Sequence, residues 1–197
     1  EAWHAMGSVC GDFDNDGDQD LYVVHDNGNT NSLFYNYGSG GFNKVITSDP
    51  ATDTENSVSP MISDFDNDGD LDIFVTNRNG ETNVLYVNDA ASCGNAWVCI
   101  NLTGNASNKS AVGARLELKA NIDGVDTWQT RVITTRSGGI SAQSSMRAHF
   151  GLGDASCIDS LVIFWPSGNK QVISSMSMNQ SNDFSETQPA TVTFHAF

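Results

Sequence analysis

At 197 residues, with 39% apolar content and only four prolines, the chain is long enough for one ordinary domain with a buried core. Its apolar runs, such as Leu161–Trp165, are too short for a membrane-spanning helix. Nine Lys and Arg stand against 24 Asp and Glu, and the net charge of −15 excludes a bare phosphate backbone or an anionic bilayer as partner unless cations intervene.

The imbalance is local. Residues 1–92 hold 17 acids with only Lys44 and Arg78 as bases, whereas residues 93–197 hold seven of each sign. Ten of the 17 acids fall in two nine-residue stretches, and these belong to a repeat. Gly11–Asn36 aligns without gaps on Ser63–Asn88 at an offset of 52, with 15 of 26 positions identical. Each copy opens with Asp-Phe-Asp-Asn-Asp-Gly-Asp, then one variable residue and an Asp, and continues into an apolar run, Leu21–Val24 or Ile73–Val75. That order predicts a loop followed by a strand.

The loops have the composition that calcium demands: several hard oxygen ligands around a tight turn. Side chains at positions 1, 3, 5 and 9 are expected to point inward. In the first loop these are Asp12, Asp14, Asp16 and Asp20, with the carbonyl of Asp18 at position 7. In the second they are Asp64, Asp66, Asp68 and Asp72, with the carbonyl of Asp70. Gly17 and Gly69, at position 6, permit the sharp turn. Five aspartates within nine residues repel one another without a cation, so at least two Ca²⁺ ions are expected. Magnesium fits less well, because it keeps its waters and seldom takes an all-protein cage. An EF-hand is excluded: position 12 is Val23 in one copy and Val75 in the other, where a bidentate Glu and a following helix are required. Whether Asp26, Asn29, Asn31, Asp53 or Glu55 add further sites stays open at this level.

With these D-x-D-x-D-G-x-x-D loops in strand-rich repeats, the segment resembles the FG-GAP, or VCBS-type, repeats of extracellular β-propellers. Asn36-Tyr37-Gly38-Ser39-Gly40-Gly41-Phe42 fits that family's Asn- and Gly-rich turn before an aromatic residue. Two copies are too few for a complete propeller.

Past Asn88 the repeat ends. Strands are predicted at 97–102, 114–120, 127–134, 147–150, 160–164, 170–173 and 191–197, separated by Gly, Asn, Ser and Asp turns, and no long helical period appears. Four motifs here resemble the ASPIC/UnbV domain that often follows FG-GAP-like repeats in secreted proteins. They are Ser110–Arg115, Arg136-Ser137-Gly138-Gly139 with Ser141 and Gln143, His149-Phe150-Gly151-Leu152-Gly153, and Trp165-Pro166-Ser167-Gly168. The expected fold is therefore all-β, a compact β-sandwich or barrel-like single domain with calcium-binding loops. Its parts are two FG-GAP-like loop–strand repeats over 1–92 and an ASPIC/UnbV-like β segment over 93–197, packed together.

Of the cysteines, Cys93 and Cys99 flank a five-residue segment and either close a small disulfide loop or serve as small buried hydrophobes. Neither CxxC pairs nor zinc spacing occur. Glu1 is preceded by no Met or apolar leader, which reads as a mature chain or an excised domain.

Catalytic signatures are missing: there is no G-x-S-x-G, H-E-x-x-H, P-loop or dinucleotide fingerprint, and His4, His25, His149 and His195 share no motif. His149 reads as a core histidine. The sequence thus points to a binding module and not an enzyme. Arg136, Ser137, Gly138, Gly139, Ser141 and Gln143 form the candidate ligand segment, because a Gly pair exposes backbone N–H groups beside an Arg. Size and calcium usage are also similar to the calcium-dependent peptide-binding modules of giant RTX-type bacterial adhesins. That likeness implies an extracellular or cell-surface adhesion module, monomeric within a larger chain, that captures a peptide or a protein C-terminus. The alternatives are a calcium-dependent carbohydrate-binding module and a calcium-stiffened spacer.

Overall fold

The alternating runs of the sequence become strands in the computed structural model of the chain, which describes residues 4–38, 40–89, 94–136 and 144–187. Strands β1 (Ala5–Gly11), β2 (Asp20–His25), β3 (Ser32–Asn36) and β4 (Phe42–Val45) form one antiparallel sheet in chain order. After a single helical turn, α1 (Asp49–Thr52), strands β5 (Ser57–Ser63), β6 (Asp72–Asn77) and β7 (Val84–Tyr86) form a second. The repeat is longer than its identities suggest. β1 and β5 share no identical position, yet they start 52 residues apart, pair with β2 and β6 in the same register and carry the same irregularity, Ala5/Gly7 in one and Ser57/Ser59 in the other.

The two sheets stack front to back. In β2 the buried apolar residues are Tyr22 and Val24, whereas in β6 they are Ile73 and Val75, the counterparts of Leu21 and Val23. Successive strand residues face opposite sides, so the front of the first sheet lies on the back of the second. Val9, Phe13, Tyr22, Val24 and Leu33 from one and Leu71, Ile73 and Val75 from the other form that core.

The remaining strands are β8 (Ala96–Thr103), β9 (Arg115–Ile122), β10 (Val125–Val132), β11 (Ala148–Gly153), β12 (Ile158–Phe164), β13 (Lys170–Ile173) and β14 (Ser181–Ser185). They make a two-sheet sandwich, β10-β9-β12-β13 over β11-β8-β14. Val98, Ile100, Leu116, Leu118, Phe150, Leu152, Leu161 and Ile163 fill its core. The β9–β10 turn uses Asp123 and Gly124, both at positive φ (51° and 75°), as a two-residue hairpin requires. The strand predicted at 191–197 lies outside the described residues. β14 was not legible: Ser-Asn-Asp-Phe-Ser has one large apolar residue, and it pairs as a parallel edge along β8. No described sheet closes into a barrel, so the all-β fold takes its sandwich form.

Strand β8 is buried along both faces. Val98, Ile100 and Leu102 belong to the sandwich core, while Trp97 and Cys99 point the other way, toward the repeats. Cys99 is a free thiol whose pKa is pushed up to about 12, by burial first and by the charge of Asp64. Cys93, with which the sequence leaves a disulfide open, lies outside the described residues.

Candidate metal centre

The aspartate loops join β1 to β2 and β5 to β6, and the two copies agree in detail. Asn15 and Asn67 take left-handed φ of 58° and 64°, and Gly17 and Gly69 take 103° and 101°. Oδ1 of Asp14 accepts the N–H of Asp16 (3.3 Å) and Oδ1 of Asp16 that of Asp18 (2.8 Å); Asp66 and Asp68 repeat this at 3.3 and 2.9 Å. These turns wind each loop so that its carboxylates converge. In the first loop oxygens of Asp12, Asp14 and Asp20 lie within 4.8 Å of one another, and in the second those of Asp64, Asp66 and Asp68 do.

Position 9 has a further role. Asp20 accepts the N–H of Phe13 (2.7 Å) on one oxygen and that of Asn36 (2.8 Å) on the other. Asp72 does the same with Phe65 (2.7 Å) and Asn88 (2.9 Å). These carboxylates pin the loop to the third strand of their own repeat. Asp20 also belongs to its loop's cluster, whereas Asp72 stands outside the trio of the second loop.

The oxygens left over are informative. Asp12 Oδ1 is buried with no hydrogen-bond partner, and both oxygens of Asp64 are buried with no well-aligned one, the N–H groups of Gly69 and Asn67 only partly offsetting its burial; a buried ionised group so placed is costly. Burial pushes Asp12 well above the ordinary carboxylate range, with Asp16 and Asp20 adding and Arg131 opposing. Burial likewise raises Asp14 and Asp64, and lifts Asp16 up to about 6 and Asp20 up to about 7. A hard divalent cation reverses this balance, because it turns mutual repulsion into shared attraction. The carboxylates of Asp18 and Asp70 are not among those that cluster, and that of Asp70 accepts 2.7 Å from Asn15 Nδ2 of the first loop.

Both loops lie against the sandwich half. Strand β11 alternates, sending Ala148, Phe150 and Leu152 into the sandwich core and His149, Gly151 and Gly153 toward the loops. Asp12 Oδ2 accepts the N–H of Gly151 (3.1 Å) as well as that of Gly17 (3.1 Å). The N–H of Gly153 reaches Asn15 O at 2.8 Å, and Gln129 Nε2 braces Gly151 O at 2.6 Å. His149 Nε2 lies 2.9 Å from Gly69 O, which fixes that nitrogen as the donor, and burial holds the imidazole neutral with its pKa lowered to about 4. Arg147 donates to Asn67 Oδ1 at 2.8 Å, and Asn95 Nδ2 to Asp14 O at 2.9 Å. Sequence reasoning took His149 for a core histidine and missed that it faces the loops together with Gly151 and Gly153. Their period-2 spacing was the available signal.

Of the candidate ligand segment, Arg136 is exposed. Ser137, Gly138, Gly139, Ser141 and Gln143 lie outside the described residues. Of the acids that the sequence left open, Asp26 pairs with Arg78, Asp53 accepts from the Tyr86 hydroxyl and Glu55 from Asn77 Nδ2. A carboxylate the sequence did not single out, Glu186, is buried in the sandwich half. It accepts backbone N–H bonds from Asn105, Ala106 and Ser107 at 2.7–3.0 Å, and Ser167 and Asn169 donate to its other oxygen.

Among curated proteins none matches the chain. Family models do match: residues 12–75 fit that of the FG-GAP-like repeat, and residues 104–191 that of ASPIC and UnbV. Segments of both kinds are consistent with an extracellular protein, and among the described residues no helix is long and apolar enough to cross a membrane. The first match spans both aspartate loops and the second spans the strand that packs on them, so in this chain an FG-GAP-like repeat segment (12–75) is followed by an ASPIC/UnbV segment (104–191).

Proposed function

We propose that the chain is an extracellular calcium-dependent binding module, and not an enzyme, in which each aspartate loop takes one Ca²⁺ and the second presents its ion to a ligand. The observation that carries this reading is the set of buried, clustered carboxylate oxygens left without a well-aligned hydrogen bond, Asp12 Oδ1 and Asp64 Oδ1 and Oδ2. Calcium suits them better than magnesium, since each loop brings three carboxylates together and magnesium, which retains its waters, seldom takes an all-protein cage.

The two loops divide the work. Asp12 is fully buried beneath Gly151, so a cation there is structural. In the second loop Asp64 is buried while Asp66 and Asp68 are exposed, which leaves one side of a bound cation open to an incoming oxygen. Exposed Arg147 stands at the tip of that loop. A carboxylate, such as a peptide C-terminus, would meet the cation and the guanidinium together. Vicinal sugar hydroxyls would satisfy the cation alone, so the peptide reading is favoured over the carbohydrate one.

Calorimetric titration with Ca²⁺ should give two sites, and peptides with free C-termini should bind only in calcium. Asp66→Asn and Arg147→Ala should each weaken the peptide at least tenfold. Peptides that bind equally in EDTA, or that ignore both substitutions, would refute the peptide reading. Calcium-dependent signal on a glycan array alone would point to carbohydrate, and silence in both to a calcium-stiffened spacer.

A further inference from the structure

Front-to-back stacking leaves two unmatched surfaces. The front of the first sheet is covered: Phe13, Tyr22 and Leu33 are exposed by 2%, 0% and 4%. Their counterparts 52 residues on are Phe65, Phe74 and Leu85. Phe65 is 69% exposed, Leu85 37%, and Phe74 is only half-buried. With Met61 these side chains line an apolar hollow of about 370 Å³ on the outer face of the second sheet. Adjacent strand positions Met61, Phe74 and Leu85 are in register, so the hollow is a continuous face and not a scatter of exposed residues.

The surface that fits this front is also present in the chain. Inside the molecule the front of the first sheet is covered by the back of the second, at Ile62, Ile73, Val75 and Tyr86. The same positions on the back of the first sheet are Cys10, Leu21, Val23 and Phe34, apolar at all four and in register across β1, β2 and β3; Cys10 borders the sandwich half at Arg131 and Ile133, so Leu21, Val23 and Phe34 are the part that a second copy can cover. Leu21 and Val23 border a shallow open hollow of their own. We propose that the front of the second sheet, at Met61, Phe65, Phe74 and Leu85, seats the back of the first sheet of a second copy of the chain, reproducing between molecules the contact already made within one. Such an interface joins unlike surfaces head to tail, so it extends into open chains or closes into a ring. This departs from the monomer expected from sequence and does not depend on the metal reading.

The test separates the two surfaces. Leu85→Lys blocks the front and Val23→Lys the back, and neither residue is a loop carboxylate. In sedimentation velocity with Ca²⁺ and about 0.15 M salt, where charge repulsion between acidic surfaces is screened beyond roughly 8 Å, the wild type should form concentration-dependent higher assemblies. Each variant alone lacks one half of every contact and should stay monomeric at all concentrations. The front-blocked variant still offers an intact back, and the back-blocked one an intact front, so mixing them should give a 1:1 complex that the double variant cannot form. Circular dichroism spectra and melting curves like the wild type's verify folding, and Phe74→Lys substitutes for Leu85→Lys if that variant does not fold. A wild type that stays monomeric to about 1 mM, a concentration at which even millimolar affinity is visible, would overturn the proposal. So would assemblies that persist unchanged in the blocked variants. EDTA is a separate arm: two-site calcium binding with no assembly refutes this interface and leaves the metal reading intact, while assembly without calcium binding does the reverse.

Discussion

Asp66 and Asp72, six residues apart in one loop, do different things. Asp66 shares a cluster with Asp64 and Asp68, whereas both oxygens of Asp72 are taken by backbone N–H groups. Asp66→Asn should weaken calcium binding while leaving the melting temperature in EDTA unchanged or slightly higher, because it removes a repelled charge. Asp72→Asn sets an amide N–H against a backbone N–H and should destabilise the fold by about 1–3 kcal/mol with or without calcium. Calorimetry in both conditions checks the pair, and equal behaviour would refute the division. Glu186 gives a pH test far from the loops. Burial pushes it up, but bonds from the Ser167 hydroxyl and the N–H groups of Ser107 and Asn105 prevail and hold it down to about 2, below its ordinary 4.5. A depressed carboxylate pKa contributes stability that is complete above about 4.5 and lost as pH falls toward about 2. Glu186→Gln should melt lower than wild type at pH 7, and the gap should narrow over that acid window.

At the scale of elements, β11 is the piece that joins the two halves. Its Phe150 and Leu152 are fully buried in the sandwich, and its Gly151 lies so close to the first loop that an added Cβ would stand 2.2 Å from Asp12 Oδ2 and 2.5 Å from Asn15 Cα. Gly151→Ala therefore forces the halves apart or distorts the loop. It should cost about 1–3 kcal/mol, as overpacking does, and should lower calcium affinity at the first loop more than at the second. Gly41→Ala meets nothing within 4 Å and is the control. Thermal melts together with calcium titration check this. The sequence displayed H-F-G-L-G as a motif, and its alternation was readable, but the identity of what faced the two glycines was not. That surface is contributed by residues about 140 positions earlier in the chain.

For the whole molecule, both loops lie between the repeat core and the sandwich core, so metal binding, folding and the junction of the halves are linked. Two sites held at a hundred times their dissociation constants would each add about 2.7 kcal/mol. EDTA should then lower the melting temperature by on the order of 10–20 °C. The Gly151 and Gly153 amides, bonded to Asp12 and Asn15, should lose hydrogen-exchange protection before those of β9 and β12. An unchanged melting curve would refute metal-coupled folding.

Local chemistry is what a sequence carries openly. Five aspartates in nine residues, a glycine at the turn and a β-branched run behind it specify loop and strand because their causes lie within a few residues of one another. Duplication at an offset of 52 made loop and strand visible over Gly11–Asn36 and Ser63–Asn88, but not β1 and β5, which share no identity and were matched only by their pairing. Which face of each repeat is buried was not so specified: Leu21-Tyr22-Val23-Val24 and Ile73-Phe74-Val75 are apolar on both sides, and only stacking decided that Tyr22 turns inward while its twin Phe74 stays half-open. The tertiary structure likewise decided which loop is roofed by Gly151 and which keeps an open side, because those contacts join residues that only the packing of the two halves brings together.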